Sequence, residues 1–108
     1  MTMPDDTSLG PIGKEILFEN DHVRIWGLSL EPGEIQLWHR HDLPYIIVPL
    51  TAGDNIMRFS DGRQRPTQES VGGVLWREPG IPHELENCSQ WTYRNVLIEL
   101  KIGAINQA

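Results

Sequence analysis

The feature that most constrains the fold of this sequence is the frequent interruption of its short apolar runs by glycine, proline and an Asp-Gly pair. No segment of helix length shows the 3.6-residue apolar spacing of an amphipathic helix. Asp61-Gly62 favours a two-residue hairpin turn, and residues 31–34 (EPGE) favour a tight turn. These breaks therefore predict a single all-β domain of about nine short strands, arranged as a sandwich or a closed barrel.

The predicted strands are rich in apolar, β-branched or aromatic residues and lie at 15–19, 22–30, 35–41, 45–50, 55–60, 64–71, 74–78, 85–88 and 90–102. The segment before them, residues 1–13, contains Pro4, Gly10, Pro11 and Gly13. We interpret residues 1–13 as a flexible or docked N-terminal arm. Residues 14–108 then form the barrel domain.

Charge and cysteine content limit the partners of the chain. Its 108 residues carry 15 acidic and 9 basic side chains, a formal net charge of −6. This balance argues against a protein that binds nucleic acid or an anionic membrane, because contacts with phosphate need clustered Lys and Arg. No apolar run approaches the roughly 20 residues that span a bilayer. A single cysteine, Cys88, and an N-terminus without a basic start and apolar run lead us to expect a cytoplasmic protein.

An all-β domain must protect its edge strands, so we also expect a homodimer.

Histidines form the candidate functional cluster. His39 and His41 lie two residues apart in a predicted strand and therefore point to the same face. His83 follows a second segment framed by glycine and proline, residues 79–82 (PGIP). Three imidazoles from two chain segments can hold a transition metal, although two histidines on one strand face can also serve only packing.

Two motifs carry a family resemblance. Residues 33–41 (GEIQLWHRH) resemble the first cupin motif, a glycine followed by five residues and His-x-His. Residues 72–87 resemble the second cupin motif: Gly72, Gly80, His83 and Asn87 fall in register, and Glu78 stands where the family usually has proline. Residues 26–33 and 39–45 further resemble small single-domain cupins associated with β-alanine degradation.

The resemblance implies an antiparallel double-stranded β-helix, or jelly-roll barrel, with a metal in its mouth and His39, His41 and His83 as ligands. The family's glutamate ligand falls instead on Tyr45 or Ile46. Three interpretations remain open. The three histidines hold Fe(II), or else Zn, Ni or Mn, with open positions, as in cupin thiol and diketone dioxygenases. Alternatively, Asp42 or Glu84 supplies a carboxylate, or the pocket binds a ligand without a metal.

Tyr45 and Arg94 are the candidate catalytic residues. Tyr45 occupies the vacated carboxylate region, where its hydroxyl can donate a hydrogen bond or a proton, unless its ring only packs the barrel mouth. Arg94 alternates with Val96, Ile98 and Leu100, and an inward Arg94 would bind a substrate carboxylate. In the alternative phase, the inward side chains are Tyr93, Asn95, Leu97 and Glu99.

The leading hypothesis is a metal-dependent enzyme that uses oxygen to act on a small acid of amino-acid-related metabolism. The competing hypothesis is a non-catalytic cupin that binds or senses a small molecule, because one fold serves many functions.

Overall fold

The structure is a computed structural model that describes residues 9–102. Within this range the chain forms nine β-strands, and the prediction of an all-β fold with nine strands is confirmed. The strands are β1 (Glu15–Glu19), β2 (Val23–Leu30), β3 (Ile35–His39), β4 (Tyr45–Pro49), β5 (Gly53–Phe59), β6 (Gln64–Glu69), β7 (Leu75–Arg77), β8 (His83–Asn87) and β9 (Tyr93–Leu100).

The strands pair antiparallel in two sheets. The five-stranded sheet has the order β1-β2-β9-β4-β7, and the four-stranded sheet has the order β3-β8-β5-β6. Strands that are distant in sequence therefore become neighbours: β3 pairs with β8, and β2 pairs with β9 along its whole length. This order brings the two predicted motifs together at one end of the molecule.

Alternation along the strands separates the core from the outer surface. In β4 and β9 the odd-numbered residues are buried and the even-numbered residues are more accessible. One apolar cluster of the core contains Leu28, Leu30, Met57, Leu85 and Tyr93. A second cluster, of Tyr45, Ile47 and Leu97 with Ile12, Trp26 and Leu75 packed against it, lies under the histidine end.

The first glycine of each motif makes a turn that other residues rarely make. Gly33 has φ +80° and Gly72 has φ +77°, in the left-handed region that favours glycine. Gly33 N also donates a hydrogen bond of 2.8 Å to Asn87 O, which ties the start of the first motif to the end of the second.

The described part of the predicted arm, residues 9–13, is attached to the barrel. Gly10 N donates to Trp38 O at 2.7 Å, and Gln36 Nε2 donates to Ile12 O at 2.9 Å. Gly13 is buried against Trp26, so closely that a Cβ on it would lie 2.7 Å from Trp26 Cβ. Residues 1–8 and 103–108 lie outside the described part, and the domain boundary at residue 14 stays a prediction.

The outer face of the five-stranded sheet carries an apolar row, which we call the outer apolar row. Its members are register partners on successive strands: Phe18, Ile25, Ile98, Ile46 and Trp76. Phe18 is 51% exposed and Trp76 is 47% exposed.

No helix among residues 9–102 is both long and apolar enough to cross a membrane.

Candidate metal centre

Sheet pairing brings the three histidines together. His39 ends β3 and is the register partner of His83, which begins β8. His41 lies two residues beyond His39. All three side chains are buried, with 2%, 4% and 7% exposure for His39, His41 and His83.

The three rings form one compact cluster. The ring centroids of His39 and His83 are 4.4 Å apart, and each lies 5.2 Å from the centroid of His41. One ring nitrogen from each histidine lies within 4.8 Å of the others. The convergence expected from the motif spacing is therefore present; metal binding by these nitrogens stays a prediction.

Burial keeps the cluster uncharged. Desolvation lowers the pKa of His39, although a hydrogen bond to Leu37 opposes this shift. Burial also lowers the pKa of His41 to about 2 and that of His83 to about 3, and the neighbouring imidazoles add to both shifts. At neutral pH all three imidazoles are therefore neutral, which is the form that binds metals.

The hydrogen bonds of the cluster fit a metal site. His39 Nδ1 lies 2.7 Å from Leu37 O, so Nδ1 carries the proton and Nε2 keeps a free lone pair. His41 Nδ1 is buried and has no hydrogen-bond partner among residues 9–102. An orphaned buried nitrogen is costly unless a bound group satisfies it. Three neutral imidazoles suit Fe, Zn, Ni or Mn better than Ca or Mg.

Neither candidate carboxylate joins the cluster. Asp42 Oδ1 accepts a hydrogen bond from Arg40 Nε at 3.1 Å, and the Asp42 side chain is 76% exposed. Glu84 Oε2 lies 3.1 Å from Arg58 Nη1, so this carboxylate pairs with a guanidinium group and not with the histidines. The interpretation with a protein carboxylate ligand therefore gains no support from the described residues.

Tyr45 does lie at the cluster. Its ring stacks on His41 with a centroid separation of 3.8 Å and an interplanar angle of 17°. Burial raises the pKa of Tyr45 to about 12, so the phenol keeps its proton at neutral pH. The prediction that Tyr45 lies beside the histidines agrees with this geometry, whereas its catalytic role stays a prediction.

Arg94 does not lie at the cluster, and of the two phases that the sequence left open for β9, the one with an inward Arg94 is wrong. Arg94 is exposed on the outer face of β9, next to Leu17 and Val96. The inward residues of β9 are those of the alternative phase: Tyr93, Asn95, Leu97 and Glu99. The buried Glu99 carboxylate explains this phase, because Trp26 Nε1 donates to Glu99 Oε1 at 2.6 Å and Arg24 approaches the same oxygen.

A cavity of about 350 Å³ opens beside the cluster, within the size range of small-molecule sites. His41, Tyr45 and His83 line it together with Phe59 and Met57. Three arginines also line it: Arg63, Arg65 and Arg77. Sequence reasoning missed these arginines; the signals that could have found them are the i, i+2 spacing of 63 and 65 and the shared phase of Arg77 with the inward Leu75.

Comparison with solved structures identifies the fold. A cupin domain from Bordetella pertussis superposes on this chain with a TM-score of 0.75 and 29% sequence identity. The superposition covers 81% of this chain and 90% of the Bordetella chain. A double-stranded β-helix protein from Klebsiella pneumoniae gives a TM-score of 0.65 at 17% identity, covering 92% of this chain and 88% of its own. No family model matches the sequence. The chain therefore has the antiparallel double-stranded β-helix fold of cupin domains, and its two motifs and three histidines resemble theirs.

The sequence is also similar to that of a named protein. The chain is 29% identical over 84 residues to the β-alanine degradation protein BauB of Pseudomonas aeruginosa. The matched segment is 78% of this chain and 85% of BauB.

Proposed function

We propose that this cupin is a metal-dependent enzyme that acts on a small acid. The observation that carries the proposal is the meeting of three buried, neutral imidazoles beside a cavity of about 350 Å³. A buried imidazole with a nitrogen that lacks a partner among residues 9–102, as in His41, packs less favourably than an apolar side chain would. The arrangement is therefore best explained by a ligand-binding role.

In this proposal His39, His41 and His83 hold a divalent transition metal, with Fe(II) first and then Zn, Ni or Mn. Such an ion supplies Lewis acidity and, in the case of Fe(II), redox chemistry with oxygen. Leu37 O orients the His39 ring. Tyr45 lines the cavity and keeps its proton at neutral pH, so its hydroxyl is able to donate a hydrogen bond to a bound ligand. Phe59 and Met57 supply the apolar wall that limits the access of water.

The substrate class is supported by similarity and by the cavity. The name of the relative BauB refers to β-alanine degradation, and β-amino acids and their products are small carboxylic acids. Three imidazoles do not neutralise a divalent ion, so the loaded site attracts an anion.

The second candidate is a non-catalytic cupin that binds or senses a small acid. One observation favours it: among the described residues, Glu78 is the only carboxylate that lines the cavity, and it is already engaged in a hydrogen bond. The imidazoles are ligand candidates, Tyr45 keeps its proton, and Glu78 accepts a hydrogen bond from Trp76 Nε1 at 2.9 Å.

Oxygen consumption distinguishes the two candidates. We expect protein loaded anaerobically with Fe(II) to consume oxygen when small amino acids, hydroxy acids or thiol acids are added, with a product detected by mass spectrometry. The His39→Ala variant should consume none, and Arg94→Gln should behave as the wild type. Turnover without oxygen consumption would refute the dioxygenase reaction, whereas saturable binding without turnover would favour the sensing protein.

A further inference from the structure

Two arginines reach the cavity from opposite sheets. Arg65 lies on β6 as the register partner of Met57, and Arg77 lies on β7 as the register partner of Tyr45. Both partners also line the cavity. The two guanidinium groups therefore approach the same space that borders His41 and His83.

These arginines differ from the other cations near the site. Arg63 forms an ion pair with Asp61 at 2.7 Å, and Arg58 forms ion pairs with Glu84 and Glu86 at 3.1 and 2.6 Å. In the part of the chain that the structure describes, Arg65 and Arg77 have no carboxylate within ion-pair distance. Their positive charge is thus available to a ligand.

Arg77 also has an unsatisfied donor. Its Nη1 donates to Trp76 O at 3.0 Å, but its Nε is buried without a hydrogen-bond partner among residues 9–102. A buried guanidinium donor without an acceptor is unfavourable, and an anionic oxygen is the acceptor that stabilises it most.

Two carboxylates limit the anionic charge that this region accepts. Glu78 lines the cavity. Glu69 lies close enough to Arg77 for the guanidinium charge to favour the ionised carboxylate, and it accepts a hydrogen bond from the Tyr93 hydroxyl. Burial raises the pKa of Glu69, so additional negative charge is unfavourable there. A singly charged group is therefore favoured over a phosphate dianion.

We propose that Arg65 and Arg77 bind the carboxylate of a small monocarboxylic acid and hold it beside the three-histidine cluster. This proposal deepens the proposed function, on which it rests, by naming the residues that select the substrate class. Planar guanidinium groups bind carboxylates through paired hydrogen bonds, so two of them fix both the position and the orientation of the acid.

The test uses the full chain freed of metal with EDTA and three probes: propionate, its uncharged analogue propionamide, and inorganic phosphate. Titration calorimetry should show propionate binding at least about tenfold tighter than propionamide or phosphate. Arg65→Gln and Arg77→Gln should each weaken propionate binding about tenfold. Arg94→Gln removes a cation from the outer face, and this variant should bind propionate as the wild type does.

Thermal melts of every variant separate loss of binding from loss of fold, and the exposed Arg65 makes R65Q the safer of the two. No propionate binding, equal affinity for propionate and propionamide, tighter binding of phosphate, or an unchanged R65Q would overturn the proposal. Zinc and iron uptake is measured on the same samples. Arginine-dependent propionate binding without metal uptake would refute the proposed function alone, whereas metal uptake without arginine-dependent binding would refute the carboxylate site alone.

Discussion

At the scale of single residues, the cluster depends on imidazoles that remain uncharged. Burial holds the pKa of His39, His41 and His83 below the ordinary value of 6.5. Protonation of one ring would place a charge beside two other rings in a site with little water. The same burial that prepares the nitrogens for a metal therefore makes the metal-free protein sensitive to acid.

We predict that the metal-free protein loses stability as the pH falls from about 7.5 to about 5.5. The folded-state pKa of each ring lies below its unfolded value, so the unfolded chain binds more protons below 6.5. The stability is full above 6.5 and is lost toward the folded pKa values, by up to about 1.4 kcal/mol per pH unit for each ring. Urea denaturation at several pH values measures the slope.

A His41→Leu variant provides the control, because it removes one titrating ring and should reduce the slope. Glu69, with its raised pKa, acts with the opposite sign: its contribution is present below 4.5 and lost as the pH rises, so the lowest pH values are avoided. A wild-type stability that does not change between about pH 7.5 and about pH 5.5 would contradict the prediction.

At the scale of elements, Asn87 fixes the turn from β8 to β9. Its Nδ2 donates to Leu30 O at 2.9 Å and to Trp91 O at 2.8 Å. Its Oδ1 accepts from Ser89 N and Ser89 Oγ at 2.9 and 2.5 Å. The motif asparagine therefore has a structural role in the turn, and its contacts connect β8 to the end of β2.

We predict that Asn87→Ala lowers the free energy of unfolding by about 2–4 kcal/mol, because it removes several buried hydrogen bonds and leaves their partners unsatisfied. Chemical denaturation measures the loss. Gln90→Ala, an exposed change in the same turn, is the matched control and should shift the stability by less than about 0.5 kcal/mol. Equal stability of the two variants would show that the Asn87 bonds are not significant.

The breaks between apolar runs predicted the number of strands but not all of their ends, since β3 ends at His39 and β8 begins at His83. The meeting of the three histidines was predicted from their spacing together with the family resemblance. The sequence could not select the inward face of β9, because Val96, Ile98 and Leu100 on one face are as apolar as Tyr93 and Leu97 on the other. Burial of Glu99 is explained by Trp26, a partner 73 residues away. Arg65 on β6 and Arg77 on β7 belong to different sheets, and both line one cavity. A local sequence pattern does not encode how two sheets face each other.

At the scale of the whole molecule, the outer apolar row gives the expected homodimer a specific surface. Five apolar side chains cross the entire five-stranded sheet in register: Phe18, Ile25, Ile98, Ile46 and Trp76. Phe18 and Trp76 are exposed at the ends of the row, and the three isoleucines between them are partly buried. Exposed apolar side chains grouped in this way are typical of an interaction surface. Burying it against a second copy would also protect the sheet face from non-specific association.

We predict that the wild type is a dimer in light scattering coupled to size-exclusion chromatography. Ile98→Lys places a charge at the centre of the row and should give a folded monomer. Leu37→Lys, a change at a side chain that is 71% exposed on the other sheet, should remain a dimer. A monomeric wild type, or a dimer that survives Ile98→Lys, would contradict this assignment of the interface.

Elemental analysis of protein purified without added metal tests the central claim, that the three imidazoles hold a transition metal. We expect about one divalent transition-metal ion per chain in the wild type, and less than about a tenth of that in His39→Ala and His83→Ala with an unchanged circular-dichroism spectrum. A wild type without metal, whose melting temperature Fe, Mn, Ni and Zn all leave unchanged, would contradict the claim.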